Sequence, residues 1–127
     1  MEDPLAHLPW ELLHKDPLGY VARGAQALPK DLRGAWLLGV VSGFLWPEAP
    51  APKDLSAFFR RSEGAWREAE EYFLETGLDF PVLVSEWARE ALEPLLYRKR
   101  GPSLAGLTLA FQEGKKVGTH LRGRARD

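Results

Sequence analysis

The sequence predicts an all-α protein. It reads as a compact single-domain bundle of five to six helices around a buried central helix at about residues 29–46, followed by a basic C-terminal extension. Three observations carry this. Ala35 to Trp46 is a run of twelve residues without a charge, and apolar side chains fall on every side of a helix drawn through it, the mark of a helix buried all round. The flanking segments repeat apolar residues at three- and four-residue spacing, the period of amphipathic helices. Proline, aspartate, serine and glycine punctuate them where helix starts and stops belong.

Residues 1–16 read as a short apolar arm in which Leu5, Leu8, Trp10, Leu12 and Leu13 pack on the body. Asp16-Pro17 is a start signal, a capping side chain followed by proline at the first helical position. Leu18, Val21, Ala22, Ala25 and Leu28 then follow at helical spacing. Pro29 opens the central helix, Asp31 places negative charge near its positive end, and Pro47 stops it at Trp46. Within it Gly39, Ser42 and Gly43 form a strip of small residues that admits close approach of a second helix, at about 1 kcal/mol of lost propensity per glycine. A membrane span needs about 20 apolar residues; twelve uncharged ones fit a core helix better.

The proline-rich segment at 47–52 reads as a rigid connector. Asp54 then caps a short helix carrying Leu55, Phe58 and Phe59. Ser62 caps the next, over 63–76, with Ala65, Trp66, Ala69, Tyr72 and Phe73 on its apolar stripe and glutamates opposite. Gly77 stands where a left-handed C-terminal residue belongs. A further helix runs from Pro81 or Ser85 to Arg98, with Val84, Trp87, Ala88, Ala91, Leu92, Leu95 and Leu96 inward. Pro81 to Val84 also suits an extended segment, and Pro94 removes one helical hydrogen bond. After Gly101-Pro102 two readings stand. Ser103 caps a helix through Leu104, Leu107 and Phe111, the favoured reading. Alternatively Leu107, Leu109 and Phe111 alternate with Val117, Thr119 and Leu121 about a Glu113-Gly114 hairpin tip. Residues 1–112 are read as the helical domain, 113–127 as the basic extension, and 122–127 as a disordered tail.

At 127 residues the chain forms one domain with a real core. A hydrophobic content of 45% is too high for a disordered chain. The absence of cysteine removes disulfides and thiolate chemistry. Glu2 and Asp3 at the start are unlike a signal peptide, so the expected location is cytoplasmic. The lack of Asn and Ile beside abundant Leu, Ala, Arg, Glu and Pro is a bias expected of a GC-rich thermophilic bacterium.

Chemical motifs are sparse. The chain carries no nucleophile elbow and no phosphate-binding loop; Gly114-Lys115-Lys116 lacks the upstream glycine. Glu11 and His14 are spaced as a carboxylate–histidine pair on one helix face, but a di-iron bundle needs two such motifs and further carboxylates. Pro9 separates His7 from His14. Glu68/Glu71/Glu75 and Glu86/Glu90/Glu93 read as solvated faces. No metal, cofactor or catalytic residue is assigned. Of five tryptophans, Trp36, Trp46, Trp66 and Trp87 fall on apolar faces, and Trp10 is the exposed or docked one.

Charge is the strongest functional hint. Residues 1–97 carry nine basic and sixteen acidic side chains, a net −7; residues 98–127 carry eight and two, a net +6. The basic set is Arg98, Lys99, Arg100, Lys115, Lys116, His120, Arg122, Arg124 and Arg126. Such a cluster gives sequence-independent affinity for nucleic acid by counterion release, and arginine-rich segments order on binding it. The leading expectation is a non-catalytic nucleic-acid-associated accessory protein, a small subunit of a nucleoprotein or transcription assembly. The alternative is a helical protein-interaction or self-association module whose basic tail meets acidic protein surface. No membrane partner is expected.

Overall fold

The structure, a computed structural model, describes residues 15–48, 55–96 and 104–125. Among them every regular element is helical. Five α-helices pack together: α1 (Pro17–Ala27), α2 (Arg33–Leu45), α3 (Leu55–Thr76), α4 (Phe80–Leu96) and α5 (Leu104–Ala125), with a 3₁₀ turn (Lys30–Leu32) before α2. No helix is long and apolar enough to cross a membrane among these residues. The expected arm at residues 1–14, with Trp10, Glu11 and His14, and most of the 47–52 connector lie outside the described residues.

Asp16 caps α1, its Oδ1 accepting from the Gly19 N–H at 3.1 Å, with Pro17 in the first turn. Pro29 does not open α2 directly. It heads the 3₁₀ turn, the Leu32 N–H donating to its carbonyl at 2.9 Å, so the α-helix begins at Arg33. From Gly34 to Phe44 every residue of α2 is buried, as the uncharged run requires. Gly77 adopts φ +77° and its N–H donates to Phe73 O at 2.8 Å, closing α3 with the left-handed residue its sequence demands. The two helices expected over 54–76 are one: no proline interrupts them, and Gly64 costs only about 1 kcal/mol of propensity while Ala65 and Ala69 are buried on the same stripe. Pro81 to Val84 is helical, because Phe80, Pro81 and Val84 turn inward at helical spacing.

The direction of each helix follows from its contacts. Phe80 of α4 meets Phe44 with ring centroids 5.6 Å apart, and Leu92 lies against Gly34, so α4 runs antiparallel to α2. The short turn at 77–79 makes α3 antiparallel to α4, and Tyr72 meets Phe44 edge-on at 5.3 Å. The helix α3 is therefore parallel to α2.

The most extensive interface is between α2 and α5. A Cβ built on Gly39 would fall 2.2 Å from Phe111 O, and one on Gly43 the same distance from Lys115 O. Reciprocally, one on Gly114 would fall 2.0 Å from Trp36 O and one on Gly118 1.9 Å from Val40 O. Both helices advance by four residues together, so they are parallel and touch backbone to backbone. Only glycine permits this approach. The hairpin reading of 104–121 is thereby displaced, and the boundary placed at 112/113 falls inside a continuous helix. Residues 113–121 belong to the core, with Val117 and Leu121 buried. The tail read as disordered from Arg122 is helical to Ala125.

Candidate functional site

Of the basic residues, the side chains of Lys115, Lys116, His120 and Arg122 are described, and these four do not share one face. Successive helical side chains rotate by about 100°, so α5 distributes its cations. Lys116 and His120 are exposed on an outer stripe with Gln112. Lys116 Nζ lies 3.0 Å from Glu113 Oε1, a surface pair one turn away. Lys115 is half-buried on the side nearer α2. Arg124 lies in the last turn of α5; Arg98, Lys99, Arg100 and Arg126 lie outside the described residues.

Arg122 has a different job from the one its sequence suggests. Its Nη1 donates to the Phe44 carbonyl at 3.0 Å, and its guanidinium stands 5.4 Å from the Phe44 ring centroid and 5.1 Å from that of Tyr72. Phe44 lies in the last turn of α2, Tyr72 near the end of α3, and Arg122 near the end of α5. Three parallel helices thus bring their C-terminal, partially negative ends to one pole of the bundle. A cation there completes an unmatched carbonyl and offsets the dipoles. Arg33 does the same for α1, its Nε and Nη2 donating to Leu28 O at 3.3 Å and Gln26 O at 3.2 Å. Two of the chain's arginines are committed to helix ends.

Only Trp36 of the expected core tryptophans is fully enclosed; Trp46, Trp66 and Trp87 are half-buried because their rings reach the rims of the helix interfaces. Arg89 covers Trp66 at 5.2 Å beside a small recess with Ser62, Glu63 and Arg67. A larger cavity of about 560 Å³ lies between α1 and α4. Ala22, Ala25 and Ala91 leave its room, Leu37, Trp87 and Pro94 complete its apolar wall, and Lys30, Arg33, Asp31 and Glu90 ring it with both signs of charge. Its size suits a small molecule, but its rim selects no ligand charge.

The feature that sequence reasoning missed is at the same pole as Arg122. Phe73, Leu74 and Leu78 are 42%, 81% and 39% exposed around the α3–α4 turn. The sequence places Tyr72 and Phe73 together on the inward stripe; Tyr72 does meet Phe44, while Phe73 is left at the surface. Exposed Glu70, Glu71, Glu75 and Asp79 surround the three apolar residues along the chain. One signal was available: residues 68–88 hold six acidic side chains and no lysine or arginine. Among the described residues no group of three His, Asp or Glu side chains is placed to hold a metal ion.

The fold and its surface define a small all-helical bundle whose α3–α4 turn is acidic and partly apolar. Comparison with protein families, with curated proteins and with solved structures finds no match.

Proposed function

We propose that this chain is a non-catalytic protein-interaction module. The observation that carries the reading is the cluster of Phe73, Leu74 and Leu78, apolar side chains left at the surface within a stretch that holds only acidic charge. Exposed apolar clusters rimmed by polar residues mark interaction sites. Among the described basic side chains of α5, Arg122 is held by a carbonyl and two rings, and Lys116 and His120 lie on another face of the helix, which supports the same reading.

Among the described side chains, a nucleic-acid role is supported by the outer stripe of Lys116 and His120 on α5. Anisotropy of a labelled generic oligonucleotide, duplex and single-stranded, separates the two readings. At about 50 mM salt, where phosphate contacts are strongest, no saturable binding is expected. Binding with a log–log salt slope of roughly −3 to −5, as four to six phosphate contacts would give, would put the nucleic-acid reading first. Site-specific photocrosslinking in the source cells is the positive arm. A discrete protein adduct is expected from position 74 and not from position 105, an exposed site on α5.

A further inference from the structure

Resting on the protein-interaction reading, we infer that the α3–α4 turn docks a basic amphipathic segment of another protein, with apolar side chains flanked by lysine and arginine. Leu74, at 81% exposure, is the central anchor, with Phe73 on the preceding position of α3 and Leu78 just past Gly77. Glu70, Glu71 and Glu75 line the same last turns of α3, and Asp79 follows Leu78. The C-terminal dipole ends of α2, α3 and α5 lie at this pole, offset in part by Arg122 and by the positive N-terminal end of α4 at Phe80. Arg122 is packed there, its guanidinium already engaged with Phe44 O and the two rings, and Arg124 follows it in the last turn of α5.

Charge selects among the occupants of this surface. Phosphate backbones and anionic membrane surfaces are repelled by the carboxylates. A second copy related by a two-fold axis would set the same carboxylates against one another. A cationic segment is attracted over a distance and then buries its apolar residues on Phe73, Leu74 and Leu78.

The test uses the full chain and a fluorescein-labelled synthetic amphipathic helix of leucine and lysine, roughly 15 residues long so that a helix can form. Saturable binding that weakens with salt is expected. Leu74→Ser with Phe73→Ser should weaken it about tenfold or more, and Glu71→Lys with Glu75→Lys should do likewise. All four side chains are exposed, so the melting curves should match the parent's. Leu109→Ser, at an exposed leucine of α5, should leave binding unchanged. The inference is overturned by absence of saturable binding, by parent-like affinity in the turn variants, or by equal binding of the peptide with glutamate in place of lysine. Concentration-dependent dimerisation abolished by Leu74→Ser would overturn it in favour of a second copy while leaving the protein-interaction reading intact. Oligonucleotide binding by the intact chain would instead count against that reading itself.

Discussion

Arg122 shows how far a side chain's role depends on where its helix ends. In the sequence it is one cation of a basic tail. In the fold it joins the end of α5 to the ends of α2 and α3 through Phe44 O and the Phe44 and Tyr72 rings. A hydrogen bond from a charged donor contributes about 1.5–3 kcal/mol, discounted here because the side chain is half-exposed. Arg122→Ala should therefore destabilise by about 1–2 kcal/mol. Arg122→Lys should recover part of that, because a charge near the helix ends survives while the planar contact with the rings does not. Thermal unfolding of the three proteins checks the order; a parent-like melt for Arg122→Ala would mean the contact contributes nothing. Trp36 lies at the other extreme, fully enclosed on α2. Trp36→Ala should cost about 3–5 kcal/mol, a fall in Tm of roughly 10–20 °C for a chain of this size.

Between elements, the decisive contact is the parallel seam of α2 and α5. Its four glycines face backbone carbonyls, not flexible side chains, so a methyl group cannot be accommodated by a rotamer change. Gly118→Ala should force the helices apart and cost at least about 1–3 kcal/mol, the range of overpacking. Gly64→Ala on α3 is the control, since nothing lies within 4 Å of its Cβ position. There the higher helix propensity of alanine should raise stability by up to about 1 kcal/mol. Urea titrations of the two variants should move in opposite directions. A tolerated alanine at 118 would show that the seam is looser than a backbone contact. The small-residue strip of α2 was legible in the sequence from Gly39 and Gly43. Its partner strip, Gly114 and Gly118, was hidden by the competing hairpin pattern of alternating Leu107, Leu109 and Phe111.

For the whole molecule, the C-terminal helix is a structural member and not an appendage. Removing residues 115–127 takes away Val117 and Leu121, buried side chains contributing about 3–6 kcal/mol between them. It also removes Gly118 and half of the seam. Against a total stability of about 5–15 kcal/mol, the truncated chain should fail to fold cooperatively. Circular dichroism melting checks this, and a sharp parent-like transition would return residues 115–127 to the status of an extension. The same truncation cannot serve to test nucleic-acid binding, because loss of binding would follow from loss of the fold.

The helical class, the burial of α2, the cap at Asp16 and the left-handed stop at Gly77 are legible in the residues before any helix is packed. Each of these is written in a local signal: hydrophobic period, an uncharged run, a capping side chain, a glycine that alone accepts positive φ. Whatever depends on residues far apart in the chain was settled by packing. Packing set the merging of two expected helices into α3, the parallel seam of α2 with α5, the commitment of Arg122 to the Phe44 carbonyl 78 positions away, and the exposure of Leu74. The physical reason is that period and capping report one helix at a time. Which carbonyl a distant arginine meets, and which apolar residue is left without a neighbour, are fixed only when the helices pack.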